Sequence, residues 1–136
     1  MSSVIKYLSV LIVMSLIFFF SSQDGVASSN LSMTLYNEIA IYVKNDFVRI
    51  YFRKFAHVFE YFILYLVLVI CIKPHDLASS KAYLLVLVFA LSDEFHQTFV
   101  SGRCGSVKDV LIDSTLPFLI TLASLFFYKP KIKELF

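Results

Sequence analysis

Charge is what this chain has least of: 16% of its 136 residues are Asp, Glu, Lys or Arg, against 59% hydrophobic, and the mean hydropathy is +0.79. No ordinary soluble domain of this size hides that much apolar side chain, so an aqueous globular fold is excluded first. Glycine is scarce, at three residues, and no glycine-rich phosphate loop is present. Two cysteines cannot build a cysteine zinc cluster, and neither His-Glu-x-x-His nor Gly-x-Ser-x-Gly occurs. Ser21, Ser22, Ser92 and Ser114 have no identifiable base, which leaves serine-nucleophile chemistry without support. His57, Glu60 and His96 are suitable metal-ligand types, but the neighbouring cations would compete with a metal ion, so no metal and no cofactor is expected. The basic residues are few and interleaved with acids, which argues against nucleic acid.

What the chain has is long apolar runs, rich in its 15 Phe and 8 Tyr. A hydrocarbon core about 30 Å thick needs roughly 20 helical residues to cross it. Four windows of about that length occur, at 4–20, 55–72, 82–100 and 110–128. They predict an all-α membrane protein, a four-transmembrane-helix bundle forming a single membrane domain over 1–136. Lys6 lies close enough to an end to snorkel into the headgroups. Pro117 removes a backbone donor and bends the fourth helix near its start. A secretory signal cleaved near Gly25-Val26-Ala27 is the competing reading of the first window, whose apolar run is longer than a typical signal core.

The connectors differ in kind. Residues 21–30 are small and polar, whereas 31–52 space Leu35, Ile39, Tyr42, Val43, Phe47 and Ile50 three to four apart, which predicts an amphipathic helix lying in the interface. Residues 73–81 and 101–108 are short turns. Four crossings put both termini on one side, and the cations then split evenly. Lys6, Lys73, Lys81, Lys129, Lys131 and Lys133 face Lys44, Arg49, Arg53, Lys54, Arg103 and Lys108, six against six. By total, the positive-inside rule favours neither orientation. Arg53, Lys54, Arg103 and Lys108 have carboxylates nearby and the tail lysines have almost none, which favours cytoplasmic termini and an outer-face polar site in the bacterial cytoplasmic membrane. Cys71 and Cys104 fall at opposite ends, beyond disulfide reach.

The chemistry-bearing residues gather at one end of the apolar runs. Arg53, His57, Glu60 and Tyr61 are spaced i, i+4, i+7 and i+8 and share a stripe. Asp93 aligns with His96 and Gln97, Glu94 with Gln97, and Asp109 with Asp113. Charges at a helix centre cost about 2.5–3.5 kcal/mol each on insertion scales, and less near an interface, so such a concentration calls for an explanation. One explanation is structural: Arg53, Lys54 and Arg103 neutralise Glu60, Asp93, Glu94 and Asp113 in a network that fixes helix register. The excess of imidazole, carboxylate and carboxamide over that need points to a ligand site. Arg53, Lys54, Tyr61, His96, Gln97, Arg103, Asp109 and Asp113 are its candidate binding residues, and His57, Glu60, Asp93 and Glu94 are its candidate acids and bases.

Phe20-Ser21-Ser22-Gln23, Arg53-Lys54-x-x-His57-x-x-Glu60-Tyr61, Asp93-Glu94-Phe95-His96-Gln97, Gly102-Arg103 and Asp109-Val110-Leu111-Ile112-Asp113, in this order, resemble the bacterial VanZ-like family. Two departures stand out: Leu116-Pro117 replace an expected glycine in the family's Asp-Thr-Leu-Gly continuation, and Ser101 stands where a proline often precedes Gly-Arg. The resemblance implies a small integral membrane protein of the cell envelope, from a family with a member associated with resistance to the glycopeptide teicoplanin. It does not supply a mechanism.

Residues and resemblance together lead to the expectation of an anionic lipid-linked or lipid-like envelope ligand. Arg53, Lys54 and Arg103 would hold phosphate or carboxylate, and the helix walls an acyl or isoprenoid chain. Teicoplanin itself carries an acyl chain, so altered drug partitioning is compatible with this. Two alternatives remain open. One is a membrane-embedded acid/base enzyme acting on a lipid headgroup through Glu60 with His57, or Glu94 with Asp93. The other is an assembly or helper protein docking partner helices, or further copies of itself, on the charged stripes.

Overall fold

A computed structural model describes residues 3–39, 46–72 and 78–127, and every regular element among them is helical. In chain order these are α1 (Ser3–Ser21), α2 (Gly25–Ile39), α3 (Asp46–Cys71), α4 (Ala78–Gln97), α5 (Val107–Asp113) and α6 (Thr115–Phe127). Two of them, α1 and α3, hold stretches long and apolar enough to cross a membrane, and the bent pair α5–α6 makes a third if it is one span. α4 is as long as α1, but its last turns carry Asp93, Glu94, His96 and Gln97.

α3 is the axis of the fold, since it packs against each of the other five helices. Its buried stripe is Tyr61, Leu64, Tyr65 and Leu68, at i, i+3, i+4 and i+7. α4 answers with Ala82, Val86 and Ala90, three residues four apart that are wholly buried. Small side chains let two backbones approach closely, which is how helices associate where lipid removes the hydrophobic drive. Ile17 of α1 and Val110 of α5 close the same core. Much of the outward surface is apolar, including Val4, Leu8 and Leu11 on α1 and Leu84, Val88 and Leu91 on α4.

Contacts between the helix ends fix their directions. Lys6 Nζ donates to the Cys71 carbonyl at 3.2 Å, so α1 begins where α3 ends. Ser21 meets Asp93, so α1 and α4 finish together. The hydroxyls of Thr121 and Tyr65 meet at 3.0 Å, which runs α6 back beside α3. The far end of the bundle is thus closed by Lys6, which caps the carbonyl end of α3 instead of snorkelling freely as expected from sequence.

Several sequence expectations need correction. The polar connector at 21–30 is mostly helix: Asp24 caps α2 by accepting the Ala27 N–H at 2.7 Å, and the helix runs on to Ile39. The single interfacial helix expected over 31–52 is therefore two pieces, the end of α2 and the start of α3, with 40–45 outside the described residues. α3 starts at Asp46, well before residue 55, because Val48, Tyr51, Phe52 and Phe55 continue the apolar pattern of the following span. The fourth helix is broken at Ser114 into α5 and α6, bent by 52°. Pro117 has no N–H for the Asp113 carbonyl, and Ser114 turns its hydroxyl back to the Val110 carbonyl at 2.8 Å. The turn at 73–77 and the tail at 128–136, including Lys73, Lys129, Lys131 and Lys133, lie outside the described residues.

Candidate functional site

The polar end of the bundle is built where α1, α3, α4 and α5 converge beneath α2. At its centre Asp93, 1% exposed, uses one carboxylate oxygen for three donors. Oδ2 accepts from Ser21 Oγ at 2.7 Å, Tyr61 Oη at 3.1 Å and Gln97 Nε2 at 3.0 Å. Gln97 Nε2 also donates to Ser21 Oγ at 3.3 Å. The other oxygen, Oδ1, is buried and has no hydrogen-bond partner among the described residues. Hydrogen bonds to an ionised group are worth about 1.5–3 kcal/mol each in water-soluble proteins. Interhelical hydrogen bonds inside a membrane average nearer 0.6 kcal/mol, so the strength here lies in the number of partners.

Arg103 ties this centre to the end of α1. Its Nη1 donates to Gln97 Oε1 at 3.2 Å, its Nη2 to the Phe20 carbonyl at 3.1 Å and its Nε to the Gln23 carbonyl at 2.8 Å. A guanidinium over the last carbonyls of a helix satisfies acceptors that have no intrahelical donor and complements the helix dipole. The Gly102 backbone makes this possible. At φ 70° it turns the chain back so that the carbonyl of Ser101 receives the Gly25 N–H at 3.0 Å. A Cβ on Gly25 would overlap the Gly102 carbonyl, so the two glycines allow the 101–103 turn to sit directly on the start of α2.

The remaining carboxylates divide between scaffold and cavity. Glu94 Oε2 accepts the Ser106 N–H at 2.7 Å, and Ser106 in turn caps α5 through Lys108 N at 3.2 Å, so Glu94 holds the entry to that helix. Lys54 and Asp109 form an ion pair joining α3 to α5, with side chains 43% and 32% exposed, an environment where such pairs contribute about 0–1 kcal/mol. His57 Nδ1 lies 3.3 Å from Glu60 Oε2 on consecutive turns of α3. The pair is within ionic reach but not aligned for a hydrogen bond, and among the described residues Glu60 Oε2 is a buried acceptor without a donor. Asp113, buried in the last turn of α5, is within electrostatic range of His57.

His57 and Glu60 line a cavity of about 100 Å³ between α1, α2 and α3. Phe20 and Gln23 come from the end of α1, Leu31 and Leu35 from α2, and Phe52 and Ala56 from the preceding turn of α3. α2 forms its roof. Two open apolar grooves, of about 490 and 350 Å³, run along the seam of α1 and α4 and share Met14 and Phe89.

The sequence-predicted residues therefore separate into groups. Tyr61, Asp93, Gln97 and Arg103 come together in one network; His57 and Glu60 come together at the cavity; Lys54 with Asp109, and Glu94 with Ser106, brace α5. His96 does not join Asp93, contrary to the alignment expected from sequence. Its ring lies against Phe18 of α1 at 4.4 Å, with Nδ1 buried and unpartnered. The Arg53 side chain lies outside the described residues. Sequence reasoning missed Ser21 as a member of the network, although Phe20-Ser21-Ser22-Gln23 was visible as a motif. It also missed the cavity, whose roof residues Leu31 and Leu35 it assigns to an interfacial helix. No group of three or more metal-ligating side chains occurs among the described residues.

The motif residues are thus explained by contacts: the Phe20–Gln23 turn meets Asp93, Gln97 and Arg103, and the 109–113 segment meets Lys54. No curated protein and no solved structure matches the chain. The VanZ/LLP1 family model matches residues 6–127, nearly its whole length. With these groups gathered at one polar end of an apolar helical bundle, this is a membrane protein of the VanZ/LLP1 family.

Proposed function

We propose that the chain crosses the bacterial cytoplasmic membrane four times, with α4 as a polar-ended span and α5–α6 as one bent span. Its polar end holds the head of a lipid-like envelope molecule in the cavity roofed by α2. The observation that carries this reading is the cavity itself, which contains a histidine–carboxylate pair with an unsatisfied acceptor while the neighbouring charges are bound to protein groups. Lys54 pairs with Asp109 and Arg103 grips two backbone carbonyls and Gln97, so the anion grip expected of these two cations is already answered from within the chain. Head-group recognition falls instead to His57 and Glu60. The outer face remains the favoured side for this end, and the apolar grooves along α1 and α4 offer a path for a chain.

Size narrows the ligand. Sites that engulf drug-sized molecules occupy about 300–1,000 Å³, and this cavity has about 100 Å³. A glycopeptide such as teicoplanin, or the sugar head of a lipid-linked wall precursor, exceeds it. Any contribution to glycopeptide resistance would then act through the envelope lipid and not through engulfing the drug. Native mass spectrometry of the detergent-purified protein tests the reading. A lipid adduct should be retained by the wild type and lost in Leu31→Trp, which fills the cavity without touching a charge. An adduct indifferent to Leu31→Trp would sink it.

A second reading, an acid/base enzyme, is favoured by one observation. Glu60 Oε2 stands 3.3 Å from Nδ1 of His57, close enough for a small rotation to let the carboxylate orient the imidazole for proton transfer at Nε2. If Glu60→Gln keeps lipid binding and abolishes a product detected by lipid mass analysis, turnover is established. A lipid profile identical in both proteins argues for binding alone.

A further inference from the structure

We propose that the cavity between α1, α2 and α3 receives an ammonium group, so that the head it selects is an amine-bearing, zwitterionic one and not a purely anionic one. The proposal rests on the reading of the polar end as a lipid-head site and adds its chemical class. Among the described residues Glu60 Oε2 finds no hydrogen-bond donor, although it is shielded from solvent in the cavity wall. His57, its neighbour, does not align to supply one. A buried acceptor oxygen left in this state is the group a donor-only ligand completes, and an ammonium brings three N–H donors and no acceptor.

The rest of the wall agrees. Phe20 and Phe52 place aromatic rings on the cavity, surfaces that attract a cation and gain nothing from an anion. Gln23 is a further side chain in that wall with a carbonyl to offer. Asp113 and Asp93 both lie within electrostatic range of His57. Arg103, on the α1 side, directs three nitrogens at the Phe20 and Gln23 carbonyls and at Gln97. The volume fits a small terminal group, with the phosphate of a zwitterionic head left outside toward the interface.

Arg53 stands one turn before His57 in the sequence and serves as the control for a cation supplied by the chain itself. The experiment therefore measures lipid retention of the full-length protein by native mass spectrometry, with phosphatidylethanolamine and phosphatidylglycerol of identical chains, for wild type, Glu60→Gln, Arg53→Ala and Leu31→Trp. Wild type should retain the ethanolamine lipid over the glycerol lipid, and Glu60→Gln should lower that retention about tenfold, the worth of one charge-assisted hydrogen bond. Arg53→Ala should leave the preference intact or sharpen it. Free ethanolamine at millimolar concentration separates the sources. If it displaces the lipid, the ammonium alone is read; if it does not while the preference stands, the ammonium is read as part of a lipid.

Equal retention of both lipids, lost together in Leu31→Trp, overturns the ammonium assignment and leaves the lipid-head reading standing. A preference for phosphatidylglycerol that collapses in Arg53→Ala overturns it in favour of an anion site. No adduct with either lipid in wild type overturns both readings. Because Glu60→Gln keeps the shape of the side chain, its elution as a folded monodisperse species in detergent is checked alongside. Should it aggregate, the ratio of the two lipids on wild type and Arg53→Ala decides the matter.

Discussion

Arg103 and Lys54 carry the same charge and do different amounts of structural work. Arg103 satisfies two carbonyls at the end of α1 and the amide of Gln97, so Arg103→Ala leaves three acceptors unanswered. A loss of about 2–3 kcal/mol is expected, whereas Lys54→Ala, which removes one half-exposed ion pair, should cost about 0–1 kcal/mol. Thermal unfolding in detergent, followed by loss of monodisperse protein, ranks the two. Equal shifts would show that the guanidinium is not the tie described here. At the centre, Asp93→Ala strands three donors and should destabilise several-fold more than Tyr61→Phe, which removes one bond of about 0.6 kcal/mol. At this scale the sequence was informative where helical phase alone decides: Asp93 with Gln97, and the joint stripe of His57, Glu60 and Tyr61. It failed for Ser21, because a serine at a helix end has many uses and its acceptor lies 72 residues away. It failed for His96 because a position three residues on from Asp93 also borders the adjacent helix, and Phe18 of α1 offered that imidazole a ring.

Helices were legible in proportion to how much of their stability is local. α1 and the greater part of α3 are long apolar runs and fall close to the windows read from composition. Only the second half of α2 was legible: Gly25-Val26-Ala27-Ser28-Ser29-Asn30 has weak helix propensity, and the start of the helix depends on the Asp24 cap and on packing against α3. The bend between α5 and α6 was foreseeable from Pro117, but its position at Ser114 follows from the lost partner of the Asp113 carbonyl. Two substitutions test these contacts. Ala90→Leu pushes α3 and α4 apart at a wholly buried position and should cost about 1–3 kcal/mol, while Leu91→Ala, on the exposed side of the same helix, should cost little. Gly25→Ala should release α2 from the 101–103 turn, read as faster limited proteolysis within 25–39 with the rest of the bundle intact. Unchanged cleavage would mean that α2 is held by its contacts with α3 alone.

For the whole molecule, the proposed four crossings make a definite demand on the two thiols. Cys104 is exposed in the turn at the polar end, and Cys71 is half-buried at the other, beside Ser9 and Lys6. In intact cells, a membrane-impermeant maleimide should label Cys104 in a Cys71→Ala protein, and a tag placed after Phe136 should stay protected from external protease. Labelling of Cys104 only after permeabilisation would reverse the orientation; exposure of both Cys104 and the tag would break the four-crossing count. The amphipathic distribution of charge was plain from composition, but the closing of four segments into one end was not, since it depends on pairings such as Arg103 with Phe20, 83 residues apart.

That separation has a consequence for biosynthesis. The first helix leaves the ribosome long before the residues that fasten its end exist, and neither Asp93 nor Arg103 is available until the first two thirds of the chain have been made. Until then α1 has α3 as its main companion and no clamp at its finish. A nascent chain halted before residue 93 should consequently expose its first segment to membrane quality-control proteases, and the arrival of the 93–103 stretch should be the step that ends that exposure.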